Sequence, residues 1–183
     1  MIRPVYQNNN FIVCDKPAEV LSVPAREKTD VRLCLGTALQ KELRTQIYPV
    51  HRLDYEVSGL IMYALNSQAH RISQDWFLKK IIQKTYLAET SEQDFSHWPS
   101  NVNTDRSEIE PKPGLTFNWK TKILRGKKRS FESQNGELAE TNAIILRKIA
   151  SGLLWSLQPV TGKSHQLRFE LSRRGFPDRK SVV

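Results

Sequence analysis

The longest strand-like segment of the chain limits the choice of fold most strongly. "ETNAIILRKIASGLLWSLQPV", residues 140–160, holds two apolar runs separated by Ser151 and Gly152, and this pattern predicts a β-hairpin with its turn at those two residues. Other strand-like segments are FIVCDKP, SGLIMYALN, KTYLAET and GLTFNWKTKIL, of which SGLIMYALN is apolar enough to be buried on both faces. Because strands outnumber helices and often follow one another directly, we predict an α+β fold, a mixed, mainly antiparallel β-sheet with flanking helices.

Three segments have helical periodicity. They are VRLCLGTALQKELR, SQAHRISQDWFLKKII and GKSHQLRFELSRRG. In the second segment Ser67 is the candidate N-cap, and the residues predicted to face the core are Ile72, Trp76, Phe77 and Ile81. The third helix is expected to begin at Ser164 and to stop at Gly175, because glycine commonly ends helices.

Length and composition place the chain among single-domain globular proteins. It has 183 residues, of which 39% are hydrophobic and 26% charged, so we predict one domain over 1–183. No apolar run reaches the roughly 20 residues that a membrane-spanning helix needs. The first residues lack the pattern of a signal peptide, and Cys14 and Cys34 lack metal-ligand spacing, so we expect a cytoplasmic protein with reduced thiols.

The charge balance indicates a polyanionic partner. Twenty-eight Lys and Arg residues against 19 Asp and Glu give a net charge of +9, which favours RNA or DNA first and an anionic membrane surface second. The segment 120–129, "KTKILRGKKR", carries six basic residues and no acid, with Trp119 and Phe131 beside it. These side chains could neutralise phosphates and stack on bases. The alternative is a solvated sheet edge that uses lysine against aggregation.

Several cofactor and metal motifs are missing from the sequence. "TGKS" resembles the end of a P-loop, but the first glycine of that motif is replaced by Leu157. The four histidines do not have the spacing of a zinc site, and there is neither a glycine-rich dinucleotide motif nor a G-x-S-x-G elbow. We therefore predict no nucleotide cofactor and no metal.

The segment "PVHRLDYEVSGLIMYAL", residues 49–65, places charged side chains directly before an apolar run. An aspartate at the start of a strand is typically a turn former or a solvated acid. By itself, then, Asp54 is compatible with a structural role as well as with a catalytic one.

Three motifs in order give the chain a close resemblance to the RNA pseudouridine synthases of the RluA type. "HRLDYEVSGL" resembles the family's H-R-L-D-x-x-T/V-S-G-L segment, "KTYLA" its K-x-Y-x-A strand, and "VTGKSHQLRFEL" its T-G-R/K-x-H-Q-I/L-R helix start. "FIVCDKPAEVLSVPA" is similar to the family's opening strand. The resemblance extends from about Asn9 to Phe176 and implies the pseudouridine synthase catalytic fold.

The resemblance implies an isomerase that converts a specific uridine in ribosomal or transfer RNA to pseudouridine, without a cofactor. Asp54 would be the catalytic carboxylate, which attacks a sugar or base carbon or removes a sugar proton; these routes stay open. Arg168 would pair with the carboxylate and keep it ionised in a site that excludes water. Tyr86 would stack on the uracil and take part in removing the proton from C5.

The resemblance also implies residues that hold the RNA. Arg52 would fill the gap that a flipped-out uridine leaves in the stack and contact phosphate. His51 is also predicted to belong to the RNA-binding surface, where we expect it to shape the turn and not to take part in the reaction. Further candidates for phosphate contact are Lys16, Lys163, Lys127, Lys128 and Arg129.

The chain differs from the family at both ends. We expect no S4-type RNA-binding module before the catalytic segment. Since "DRKSVV" stands where the family continues with an I-x-G-D-x-x-Y-G-like segment, we also expect residues 177–183 to form an atypical tail. The competing interpretation is therefore a catalytically impaired RNA-binding protein on the same scaffold. A general DNA-binding protein is the more distant option. We expect a monomer.

Overall fold

The computed structural model describes residues 4–27, 29–96, 98, 104–126 and 130–182. The chain divides into two compact units, one containing the described residues up to Ile82 together with Val182, the other containing Gln83–Ser181. Each unit has its own sheet and its own buried cluster. Within the described residues, no helix is long and apolar enough to span a membrane.

The first unit is built on a four-stranded antiparallel sheet with the order β1-β2-β4-β3. Its strands are β1 (Pro4–Gln7), β2 (Phe11–Lys16), β3 (Tyr48–Pro49) and β4 (Gly59–Ala64). Its helices are α1 (Leu35–Leu43) and α2 (Ser67–Leu78), of which α2 packs against β3 and β4.

Strand β4 is buried mainly on one face, so the prediction of burial on both faces is wrong. Ile61 and Tyr63 are almost completely buried, while Leu60, the second residue of the strand, is 49% exposed and Met62 is half-buried. An antiparallel sheet can leave one face in contact with water, and alternate residues of β4 follow that rule.

The N-cap of helix α2 lies one residue earlier than predicted. The side chain of Asn66, not of Ser67, accepts a hydrogen bond from the Ala69 N–H at 2.8 Å. Its fully buried residues are Ala69 and Ser73, whose small side chains allow close packing on the sheet.

Two of the four residues predicted to face the core from this helix are exposed. Ile72 is 45% exposed and Ile81 63%, whereas Trp76 and Phe77 are half-buried as part of the packed face. The helix ends at Leu78, so Ile81 no longer follows its periodicity, and Ile72 lies beside the narrow buried stripe rather than on it.

The second unit contains a six-stranded sheet with the order β10-β5-β9-β8-β6-β7. Its strands are β5 (Tyr86–Thr90), β6 (Thr116–Arg125), β7 (Ser130–Glu132), β8 (Glu137–Ile149), β9 (Gly152–Pro159) and β10 (Asp178–Val182), and α3 (Gln166–Ser172) packs against β6, β7 and β9. The pairs β5–β9, β9–β8, β8–β6 and β6–β7 are all antiparallel. The α+β class and its mainly antiparallel sheets are confirmed.

The predicted hairpin is formed by β8 and β9, with a turn one residue earlier than expected. Ile149 pairs with Gly152, so the turn residues are Ala150 and Ser151. Gly152 opens β9 with φ +137°, and a Cβ there would lie 2.1 Å from the Thr90 carbonyl oxygen. The position therefore admits only glycine.

Helix α3 begins at Gln166, two residues later than predicted, and ends at Ser172; the turn that follows it is closed at Gly175, the predicted stop. Gly175 has φ +80°. The Phe176 N–H donates to the Leu171 carbonyl and the Gly175 N–H to the Ser172 carbonyl, both at 3.0 Å, which is the pattern of a Schellman motif.

Candidate active site

The loop that carries Asp54 connects β3 to β4 and is fixed from within. Leu53 is buried, its N–H donates to Ser22 Oγ at 3.0 Å, and Ser22 Oγ donates to the Leu53 carbonyl at 2.8 Å. On the other side, the Asp54 carbonyl accepts from the Val57 N–H at 3.1 Å and closes a turn. The backbone of Asp54 is thus held on both sides while its side chain stays half-buried.

A completely buried lysine stabilises the same turn. Lys16 Nζ donates to the carbonyls of Pro17 (2.9 Å), Val20 (2.8 Å) and Tyr55 (3.4 Å). Burial lowers the pKa of Lys16, and the negative charges of Glu56 and Asp54 act in the opposite direction. A buried cation therefore lies close enough to both carboxylates to attract them.

The placement of Lys16 corrects its sequence-based role. Its side chain is 0% exposed and its three ammonium protons face three carbonyl oxygens, so it does not present a charge to phosphate. The prediction of phosphate contact is wrong for Lys16, because the lysine at the end of β2 turns inward to satisfy loop carbonyls.

His51 and Arg52 precede the turn with different surroundings. His51 Nε2 accepts from the Met62 N–H at 3.2 Å, which requires the proton of the neutral ring on Nδ1, and the ring lies 5.7 Å from Phe77. These contacts support the expectation that His51 shapes the loop. Arg52 is exposed, as contact with RNA would require.

A second anchor on the turn was missed by sequence reasoning. The Arg32 guanidinium lies 4.8 Å from the centre of the Tyr55 ring and is itself held by Asp30 at 2.7 Å. The hydrogen bonds from Arg32 lower the pKa of Asp30 to about 2. Neither Arg32 nor Ser22 carries a sequence signal for this role, because both are distant from the H-R-L-D segment along the chain.

In the second unit, Tyr86 and Arg168 occupy a strand and a helix. Tyr86 opens β5 opposite Leu157 of β9 and packs, half-buried, against the cluster that contains Trp155. Arg168 is half-buried on α3. Tyr86 therefore combines a packed ring with partial exposure, as stacking on a base would require.

The segment before α3 is organised by Gln166, to which sequence reasoning gave no role. Gln166 Oε1 accepts from Thr161 Oγ1 (2.8 Å) and the Lys163 N–H (3.0 Å), while Nε2 donates to the Glu140 carbonyl (3.0 Å) and Thr141 Oγ1 (2.9 Å). All four hydrogen-bonding positions of the amide are used, and they tie the loop to β8.

Four further basic residues were predicted to contact phosphate, and the structure describes one of them, Lys163. The Lys163 ammonium forms an ion pair with Glu137, which neutralises it in this structure. Lys127, Lys128 and Arg129 lie outside the described residues.

A buried ionic network fixes α3 to the sheet. Glu170 is 0% exposed, and its Oε2 accepts from Arg174 Nη1 and from Thr121 Oγ1, the latter at 3.2 Å. Arg173 donates to Thr121 Oγ1 at 3.1 Å and to Glu132 at 2.6 Å. The helix that carries Arg168 is therefore attached to β6 and β7 through charge-assisted hydrogen bonds.

The predicted site residues fall into two groups. Lys16, His51, Arg52 and Asp54 come together around one turn of the first unit; Tyr86, Lys163 and Arg168 belong to the second. The catalytic and RNA-binding roles given to them stay predictions. In the part of the chain that the structure describes, no group of three or more His, Cys, Asp or Glu residues could hold a metal ion.

Comparison with known proteins gives consistent matches. A family model described as RNA pseudouridylate synthase matches residues 10–173. The chain is 32% identical over 176 residues to the ribosomal large subunit pseudouridine synthase C of Rickettsia felis, covering 94% of the chain and 52% of the relative. It is 30% identical over 174 residues to the dual-specificity RNA pseudouridine synthase RluA of Yersinia pestis, covering 94% of the chain and 77% of the relative.

Solved structures agree on the fold. Human RNA pseudouridylate synthase domain containing 1 superposes with a TM-score of 0.70 at 22% identity, over 97% of this chain and 67% of the human chain. Human RNA pseudouridylate synthase domain containing 4 gives 0.67 at 22% identity, over 96% and 66%. The chain spans about half the length of the Rickettsia relatives it matches. The resemblance inferred from the three motifs is confirmed: the chain belongs to the RNA pseudouridylate synthase family and is of the RluA type.

Proposed function

We propose that the chain isomerises a uridine of RNA to pseudouridine, with Asp54 as the catalytic carboxylate. The observation that carries the proposal is the H-R-L-D turn itself, inside a family match over residues 10–173. There a half-buried carboxylate stands on a backbone fixed by Ser22, Val57 and the buried Lys16.

The reaction needs a positioned carboxylate more than an external reagent. The bond from ribose C1′ to uracil N1 breaks, the base turns, and C1′ bonds to C5. The C5 proton leaves and N1 gains a proton, so atoms and electrons balance without an oxidant or reductant. A carboxylate serves the first step as a nucleophile or as a base for a sugar proton.

The surroundings of Asp54 suit that task. Its loop is held by hydrogen bonds that do not involve the carboxylate oxygens, so the backbone is positioned before substrate arrives. Such preorganisation reduces the entropy lost in reaching the reacting geometry. The nearby Lys16 ammonium adds a fixed positive charge beside a carboxylate that must act in its ionised form.

The other site roles belong to the same proposal and come from the family resemblance. Tyr86 stacks on the uracil and assists proton removal from C5, and Arg168 keeps the carboxylate ionised. Arg52, exposed before the turn, enters the stack of the RNA when the uridine is flipped out.

Large-subunit ribosomal RNA is the first substrate to test, and transfer RNA the second. The Rickettsia relatives are named for the ribosomal large subunit and the Yersinia relative for dual specificity. The net charge of +9 is compatible with either polyanion.

The test incubates the purified protein with transcripts of each RNA and measures pseudouridine by nucleoside chromatography after digestion. We expect pseudouridine from the parent protein and none from Asp54→Asn, which keeps the size of the side chain and removes its charge. A filter-binding measurement runs in parallel. RNA binding by the parent without any pseudouridine would reject the proposal in favour of a non-catalytic RNA-binding protein.

A further inference from the structure

Lys84 lies where two motif segments of the second unit meet. It precedes Tyr86 by two residues in "KTYLA", and its side chain is half-buried. Its Nζ is directed at Gly162 of the "TGKS" segment, since a Cβ added to that glycine would lie 3.8 Å from the ammonium. The ammonium is thus next to the loop that leads to α3, and Lys84 itself lies two positions before the tyrosine that opens β5.

The charge of Lys84 has no partner among the residues that the structure describes. Burial lowers the pKa of Lys84, and no nearby carboxylate opposes that shift. Other lysines of the same unit differ in this respect. Lys120 lies 3.6 Å from Glu140, Lys148 lies 3.1 Å from Glu92, and Lys163 pairs with Glu137.

An unpaired, half-buried cation costs free energy in the folded protein. Such a cost is typical of groups whose partner arrives with a ligand, because perturbed ionisable groups concentrate at functional sites. The missing side chain at Gly162 leaves the space beside Nζ open to that ligand.

We propose that Lys84 binds a phosphodiester group of the RNA, beside the nucleotide that contacts Tyr86. This rests on the proposed function only in taking RNA as the ligand. An ammonium on a flexible stem is a common phosphate-binding group, and a polyanionic strand supplies the charge that the protein itself does not.

The experiment measures binding of a fluorescent oligouridylate to the parent, to Lys84→Met and to Lys112→Met at a series of salt concentrations. Lys112 is an exposed lysine of the same unit and serves as the control. Loss of one phosphate contact should reduce the slope of log K against log salt by about 0.7 in Lys84→Met. The slope of Lys112→Met should equal that of the parent.

A second measurement separates binding from folding. Because Lys84→Met removes an unpaired charge, its thermal unfolding midpoint should equal or exceed that of the parent. An unchanged slope in Lys84→Met, an equal change in Lys112→Met, or weaker binding with a lower midpoint would overturn the assignment. Stabilisation of the parent by inorganic phosphate, beyond that by chloride at equal ionic strength, would identify a free-anion site and also overturn the assignment if it is lost in Lys84→Met while the salt slope of RNA binding stays unchanged.

Neither measurement requires isomerisation. If Lys84→Met has the reduced salt slope but the parent forms no pseudouridine, the proposed activity is refuted and the phosphate site stays in place.

Discussion

Ser22 and Leu53 exchange two hydrogen bonds in the buried interior of the first unit, 31 positions apart in the chain. The Leu53 N–H donates to Ser22 Oγ at 3.0 Å, and the same hydroxyl donates to the Leu53 carbonyl at 2.8 Å. One side chain thereby satisfies both backbone groups of the residue before Asp54. The catalytic loop in our proposal depends on a serine that lies 31 positions before Leu53 and outside the H-R-L-D segment.

Substitution of that serine tests the dependence. Ser22→Ala leaves a buried N–H and a buried carbonyl unpaired, so we expect the free energy of unfolding to fall by about 1–3 kcal/mol, measured by urea denaturation. Ser96→Ala, which alters an exposed hydroxyl, should change it by less than about 0.5 kcal/mol. Equal unfolding midpoints for Ser22→Ala and the parent would show that the exchange contributes nothing.

Lys16 should act on the reaction and not on RNA affinity. Lys16→Met removes the hydrogen bonds to the carbonyls around the turn, and a shift of about 1 Å in a reacting group can cost roughly 100-fold in rate. We expect a loss of roughly 10- to 100-fold in the rate of pseudouridine formation at saturating RNA, with binding unchanged. A fall in binding with the rate preserved would restore the phosphate-contact role that burial argues against.

Glu170 should be among the most sensitive charged residues of the second unit. Glu170→Ala leaves Arg174, 5% exposed, without its buried carboxylate, and breaking such a pair costs about 3–5 kcal/mol of unfolding free energy. The matched variant is Glu92→Ala, which removes an exposed partner of Lys148 and should cost at most about 1 kcal/mol. Similar losses in the two variants, measured by urea denaturation, would contradict the network.

Lys84 should give stability a distinct pH dependence. The pKa of Lys84 is lowered below 10.5 in the folded protein. At a pH between its folded-state pKa and its unfolded-state pKa, the unfolded chain therefore binds more protons than the folded one. The free energy of unfolding of the parent, relative to Lys84→Met, should therefore rise as the pH increases towards 10.5, the ordinary pKa of lysine. Urea denaturation at several pH values gives this difference, and a constant or falling difference would contradict the burial of an unpaired ammonium.

Local patterns in the sequence predicted much of the fold. The β8–β9 hairpin, strand β2 and the glycine stop at Gly175 follow from apolar runs and turn residues. The predicted core face of α2 was wrong at Ile72 and Ile81, because the helix packs on the sheet through the small residues Ala69 and Ser73.

The candidate site was predictable as a set of residues but not as a set of contacts. The motif resemblance indicated Asp54, Tyr86 and Arg168. It could not indicate that Lys16 is buried, because a lysine before proline at a strand end is equally compatible with a solvated position. Nor could it give Ser22 its role, since a hydrogen bond across 31 residues depends on how the chain folds back.

The central claim is that Asp54 converts uridine, and tritium release tests it most directly. RNA transcribed with uridine tritiated at C5 loses the label to water only if that carbon becomes bonded to the ribose and its proton departs. We predict release by the parent protein from ribosomal or transfer RNA and no release by Asp54→Asn at equal RNA binding. Release by Asp54→Asn at the parent's rate, or none from either protein while both bind RNA, would contradict it.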